Sequence, residues 1–419
     1  LAWGRRCAGA PLLVQAERDG DTVSPAQGVY LVDRTTTVTV QALAARIAAQ
    51  FRAERALRAE AEAMFAPLDA AVRRLVGRVS KDRLYRTQAD LYAFDSKFVG
   101  TPGNAQAAAY LMDRLRQYGY EPVLQEFEIR PGLRSANVVA RKRGSRSPDL
   151  HYVAGAHFDS VRDGPGAEDN TTGTAMLLET ARVFADVDVP ATVTFVFFTG
   201  EEAGLLGSRE FVRRLQEEGA RVVGVLNTDT IGWSGDQRLD NTIRYSNPGI
   251  RDVQHGAAIR YSRLVTYDAV YYKNTDAASF HDAYGDIVGG FGSYPVLGSP
   301  HYHQPHDVLE TINHELVAET TKAHVATLAY LVQAPSRVPG VRATRLRDVV
   351  TVRWEAAPEP DVREYVARWR AADGTVGETQ TTTARVIDFR GVPADATVEV
   401  RAVDGRGLAG WDWGRAVAR

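Results

Sequence analysis

Cysteine is nearly absent from these 419 residues: Cys7 stands alone, so the chain can form no internal disulfide and can build no zinc site from thiolates. That leaves the compartment open, because a cytosolic protein needs no disulfide and a bacterial secreted enzyme with a large core can do without one. An excess of either charge is missing too. Lys and Arg total 50 against 52 for Asp and Glu, which excludes nucleic-acid or membrane binding through bulk charge and directs attention to local chemistry. No apolar run approaches the roughly 20 residues that cross a bilayer. The chain opens on Leu1 rather than Met, so a signal peptide, if the protein is exported, is expected to precede this numbering. Abundant Ala, Arg and Val give the composition a bacterial character.

At roughly 150 residues per domain, the length suggests two or three domains. Residues 1–75 read as an accessory or prosegment-like region. Short apolar runs at Pro11–Val14 and Val29–Val32 are followed by Leu43, Ile47, Phe51, Leu57 and Phe65 at helical spacing, until Pro67 interrupts. A catalytic domain is expected over 76–334. There Ala108, Leu111, Met112 and Leu115 mark a helix that Gly119 would end. Leu150–Ala154, Val193–Phe198 and Val222–Leu226 are near-continuous apolar segments, as suits strands buried on both faces. Helix patterns at Gly173–Val183 and Ser208–Gln216 lie between them, which predicts an α/β fold: a mostly parallel, mixed sheet covered by helices. After Pro335 and Pro339 the period changes to two. Val350, Val352 and Trp354 alternate, as do Tyr365, Ala367 and Trp369, and then Val398, Val400 and Ala402. Residues 338–419 therefore read as an antiparallel β-sandwich. VTVRWEAAPEPDVREYVARWR and VEVRAVDGRG within it resemble a fibronectin type III domain, which implies a spacer or a module contacting a surface or polymer.

Metal-type side chains recur where the apolar strands give way to loops. His157 and Asp159 follow the first strand in GAHFDS, two apart and so on one side of extended chain, where Asp159 can fix the imidazole's second nitrogen. Alone, the pair would more often be a buried hydrogen bond without a metal. Asp169 sits in the Gly-rich GPGAEDNTTGTA, where a carboxylate can bridge two cations, although Asp169 or Asn170 would also serve as a helix N-cap. The sequon Asn170-Thr171-Thr172 is discounted as buried beside the site. Glu201 and Glu202 end the second strand. Consecutive side chains diverge, so one acid can bind metal while the other faces an attacking water; equally, both could simply complement a helix dipole. Asp229 ends the third strand, and PHYHQPHD offers His301, His303, His306 and Asp307. So many clustered anions call for a cation.

In order, these motifs resemble the co-catalytic zinc aminopeptidases typified by bacterial leucyl aminopeptidases and aminopeptidase Y, a family that includes glutamate carboxypeptidases and glutaminyl cyclases. The likeness runs from about Leu91 to Leu331 and includes SKFVGTPGNAQAAAYLMDRLRQYGYEPVLQEF and NTDAASFHDAYG. It implies two Zn2+ ions, one held by His157 and Asp229, the other by Glu202 and His303, with Asp169 between them. His303 is chosen over its neighbours because Tyr302-His303-Gln304-Pro305-His306-Asp307 fits the family pattern; Asp307 is assigned to capping the following helix. The likeness further implies Glu201 as general base, Asp159 as partner of His157, and Tyr272 as donor to the tetrahedral intermediate, without the cysteines that flank that tyrosine in some relatives. Phe280 and His281 are expected to line a side-chain pocket, with leucine-like or aromatic N-termini of peptides or proteins as substrates. A carboxypeptidase would need basic side chains converging on a substrate carboxylate, and the motif segments contain no such cluster. The same motifs would also suit a glutaminyl cyclase, or a binding protein that has lost catalysis.

Overall fold

The computed structural model describes residues 40–419 except 236–237, 270–272 and 294–298, so the apolar runs before residue 40 lie outside the described residues. The chain divides into two compact units, Leu1–Ala63 and Met64–Arg419. In the first, the expected helix is present within α1, Val40–Phe65. Along its apolar stripe Phe51 is 59% and Leu57 51% exposed, whereas Phe65 at its end is wholly buried. The second unit begins earlier than the 75/76 boundary read from the sequence, because Phe65, Leu68, Val72 and Val76 already belong to its main core.

In that unit follow helices α2 (Asp69–Val76), α3 (Lys81–Tyr92), α4 (Pro102–Gln117), α5 (Gly173–Phe184), α6 (Leu206–Glu217), α7 (Pro248–Tyr261), α8 (Ala277–Tyr284) and α9 (His314–Gln333). The strands of the main sheet are β1 (Val123–Arg130), β2 (Leu133–Lys142), β3 (Ser147–His157), β4 (Ala191–Phe198), β5 (Arg221–Asn227), β6 (Asp240–Tyr245), β7 (Val265–Ala269) and β8 (Val288–Ser293). Local chemistry sets the helix ends. Thr101 caps α4 by accepting from the Asn104 N–H, Pro102 occupies its first turn, and Gly119 takes φ +88° just beyond its end.

The eight strands run in the order β1-β2-β4-β3-β5-β8-β6-β7. β4, β3, β5 and β8 are mutually parallel; β2 joins β4, and β6 joins β8, antiparallel. Every residue of β4 is buried, and its pleat divides them between two cores. Phe195 and Phe197 face α4, α5 and α9 in one cluster, whereas Val196 and Phe198 face Phe211 of α6 and Phe280 of α8 in another. A sheet covered on both faces accounts for the continuous apolar runs.

Beyond α9, β9 (Arg342–Leu346), β10 (Val349–Arg353) and β13 (Val386–Arg390) form a three-stranded sheet, and β11 (Val362–Arg370), β12 (Val376–Thr382), β14 (Thr397–Asp404) and β15 (Gly414–Val417) a four-stranded one. All pairings are antiparallel. Val350, Val352, Trp354, Tyr365, Ala367, Val398, Val400 and Ala402 share the core between them, as their period-two spacing requires. The expected spacer is instead packed onto the α/β body. Trp411 is buried in the main core and donates its indole N–H to the Tyr152 hydroxyl of β3 at 2.8 Å. Asp412 accepts from Asn247 at 2.7 Å and Arg337 at 2.6 Å.

Candidate metal centre

Because β4, β3 and β5 are parallel neighbours, their carboxyl ends share one edge of the sheet, where open α/β folds place their sites. His157 is the last residue of β3; Glu201 and Glu202 follow β4 and Asp229 follows β5. His157 Nε2 lies 3.2 Å from Asp169 Oδ1 and 3.3 Å from Asp229 Oδ1. His303 Nε2 lies 3.1 Å from Asp169 Oδ2 and 3.1 Å from Glu202 Oε2. Asp169 thus presents one oxygen to each imidazole. Donor atoms of His157, Glu201 and Asp229 fall within 4.8 Å of one another, as do those of Asp169, Glu202 and His303. The expected ligands converge, and Glu201 stands within the first group rather than apart from it.

Asp159 connects the first two strand ends. Its two carboxylate oxygens accept from the Glu201 N–H at 3.2 Å and the Glu202 N–H at 3.3 Å, while His157 Nδ1 lies 3.2 Å from its carbonyl and 3.5 Å from Oδ1. The Asp169 loop is fixed by groups that the sequence did not single out, or gave other roles. Gly166 takes φ +59°, and a Cβ there would come 2.3 Å from the Asp169 carbonyl oxygen, so only glycine fits. Asp307 accepts from the Glu168 N–H at 2.8 Å and the Asp169 N–H at 3.1 Å. It therefore caps this loop and not the following helix, whose cap is Asn313. Asn170 accepts from Gly173 and Thr230 N–H groups and donates to the Thr228 carbonyl; fully buried, it is no glycosylation acceptor. Glu168 accepts from the N–H groups of Gly232 and Trp233 and from the Ser293 hydroxyl, tying the loop after β5 to the Asp169 loop.

The electrostatics are those of crowded acids. Burial raises the Glu201 carboxyl well above its usual range and pushes Glu202 to about 7. Burial likewise pushes Asp276 to about 7. Burial opposes the charged form of His157, yet Asp229 and Glu201 lift it well above its ordinary value. Hydrogen bonds to Asp169 and Glu202 raise His303 to about 10. Burial also works against the Asp169 carboxylate, but its bonds to both imidazoles hold it below the usual range. Glu202 Oε1 is buried with no hydrogen-bond partner among the described residues. Four carboxylates around two imidazoles, with an acceptor left over, fit divalent cations with N/O preference such as zinc.

Tyr272 lies outside the described residues, and two expected pocket residues are placed differently. Phe280 does not line a pocket: it is wholly enclosed between Phe198 and Phe211, at 6.1 Å from each ring. His281 turns to Asp286 at 3.3 Å and is not among the residues lining the cleft over the acids. That cleft encloses about 940 Å³ including its open mouth, and among its walls are Leu205, Arg209, Thr230, Arg244, Lys273 and Tyr302. Arg209, Arg244 and Lys273 come from separate segments, which is why no basic cluster was visible in the sequence.

Residues 137–328 match Peptidase family M28. A probable zinc metalloprotease of Pyrenophora teres f. teres (strain 0-1) is 26% identical over 376 residues, covering 73% of this chain and 78% of its own. Aminopeptidase YwaD of Bacillus subtilis (strain 168) is 32% identical over 192 residues, 43% of this chain and 41% of the relative. Among solved structures, an aminopeptidase from Aneurinibacillus sp. strain AM-1 superposes with a TM-score of 0.54 at 19% identity, covering 62% of this chain and 96% of that one.

Proposed function

We propose that this chain, whose residues 137–328 match Peptidase family M28, is a zinc aminopeptidase that releases N-terminal residues from peptide or protein substrates. The observation that carries the reading is Asp169 with one oxygen toward each histidine, beside adjacent acids at the end of β4. His157 and Asp229 would hold one zinc, Glu202 and His303 a second, and Asp169 would serve both. When bound, the zinc supplies Lewis acidity that lowers the pKa of water and polarises a carbonyl.

Glu201 has no such duty in this reading, which leaves its carboxylate to take a proton from the attacking water and return it to the departing amine. Asp159 holds the Glu201 backbone and the His157 ring in one register, so base and ligand move together. The acids at the strand ends would also receive the substrate's free α-ammonium group, which distinguishes an N-terminal from an internal bond. Export from the cell, and contact of a fibronectin type III-like sandwich with a surface or polymer, belong to the same proposal. They are supported by the motif likeness.

Chelator-stripped protein, titrated with zinc against a panel of aminoacyl anilides, should regain turnover as zinc approaches two per chain. Glu201→Gln should lose on the order of 10²–10⁴-fold in kcat while still binding zinc. Wild-type turnover in that variant removes Glu201 from the base role. Cyclisation of N-terminal glutamine without anilide cleavage would replace the peptidase with a cyclase.

A further inference from the structure

We propose that Lys97, in the loop between α3 and α4, is a positioning residue of the metal centre: its buried ammonium clamps the entry to the Asp169 loop and completes a brace across the three loops that carry the metal-binding side chains. This rests on the zinc aminopeptidase reading. Lys97 reaches the site only through backbone and neighbouring carboxylates.

The brace can be followed bond by bond. The Lys97 ammonium donates to the Pro165 carbonyl, just ahead of Gly166 in the Asp169 loop, and to the Asp95 carbonyl at 3.4 Å. Its backbone N–H donates to the Ser160 hydroxyl at 3.0 Å, and Ser160 in turn donates to the Gly164 carbonyl at 2.9 Å. Ser160 follows Asp159 directly, so one residue holds both the loop after His157 and the loop that delivers Asp169. A third tie runs through Asn104 in the first turn of α4. Its amide donates to the Lys97 carbonyl at 2.9 Å and to the Thr199 hydroxyl at 2.8 Å, and Thr199 lies between β4 and Glu201. The loop that supplies these bonds is itself fixed. Thr101 donates to the Ser96 carbonyl at 2.9 Å, and a Cβ on Gly103 would stand 2.4 Å from the Phe94 and Ser96 carbonyl oxygens.

Lysine is almost never fully enclosed, yet Lys97 is 1% exposed. A methionine would fill the same space without the desolvation that pushes this ammonium down to about 8. The acids around it, Asp307, Asp159 and Asp95, work against that penalty and favour the charged form. Two of them are the carboxylates that hold the Asp169 N–H and the Glu201 and Glu202 N–H groups. A cation within reach of both balances their charge and grips the Pro165 carbonyl at the same time, which no apolar side chain can do.

Lys97→Met keeps the volume and removes the charge and the donor. In the full-length protein its zinc affinity, read by competition with a chromophoric chelator, should fall about 10–100-fold. With zinc saturating, kcat for a leucyl anilide should fall by a similar factor while KM stays within about twofold. Lys97→Arg, which restores a cation and donors, should recover most of both losses. Wild-type affinity and kcat in Lys97→Met overturn the inference. So does a Lys97→Arg protein as impaired as Lys97→Met, since shape alone would then explain the site. Should Lys97→Met fail to fold, Ser160→Ala decides: it deletes one oxygen of the brace and should lower affinity and kcat in the same direction, and unchanged values overturn the inference. The chelator titration needs no turnover. Wild-type protein that binds zinc but cleaves no anilide would count against the aminopeptidase reading and leave the Lys97 affinity test standing.

Discussion

Asp307 stands 138 residues from Asp169 in the chain, yet its carboxylate receives two backbone N–H groups of the loop that aims Asp169 at both histidines. Truncating it to Ala leaves those donors buried and lets the loop relax. Zinc affinity of Asp307→Ala should fall about 10–100-fold, the usual effect of losing a group that orients a ligand, as read by competition with a chromophoric chelator. Affinity equal to wild type would show that Gly166 and Asn170 hold the loop unaided. Phe280 makes the opposite case, since its setting is core. Phe280→Ala should cost about 3–5 kcal/mol in urea unfolding and leave the ranking of N-terminal residues unchanged. An altered ranking at full stability would return Phe280 to the substrate pocket.

Individual elements were largely legible in the sequence where burial is two-sided. β3, β4 and β5 announce themselves as apolar runs, and the acids and histidine at their ends follow from where those runs stop. Residues whose partners lie far along the chain were not legible. Asp307 reads as a helix cap beside α9, and Arg209, Arg244 and Lys273 belong to α6, β6 and the approach to α8, so nothing local joins them. An aromatic such as Phe280 gives the same signal in a core as in a pocket, and the stripe of α1 specified a helix without specifying burial. β14 shows electrostatics of the same kind. Burial alone would raise the Glu399 carboxyl, but bonds from Arg368 and Arg370 carry it below its usual 4.5. A depressed folded pKa stabilises fully above 4.5, and the contribution disappears as pH falls through the lower folded value. Glu399→Gln should therefore lose about 1–2 kcal/mol at pH 7, and its unfolding midpoint should approach that of the wild type in strong acid. A difference that does not change with pH would mean that shape, not charge, holds this site.

On the scale of the whole molecule, the α/β body and the sandwich share one compact unit, joined by Trp411 against Tyr152 and by Asp412 between Asn247 and Arg337. Heating should give a single transition monitored at either part. Trp411→Ala should lower stability by about 3–5 kcal/mol and split that transition in calorimetry; a single unshifted peak would mean the two parts are held elsewhere. Tyr152 lies on the strand that delivers His157, and the indole that completes its surroundings is more than 250 residues downstream. A ribosome must therefore release a further 259 residues after Tyr152 before the back of that strand is covered. Premature termination would give not a smaller enzyme but an unfinished one, with an exposed seam behind the site for chaperones and proteases to find.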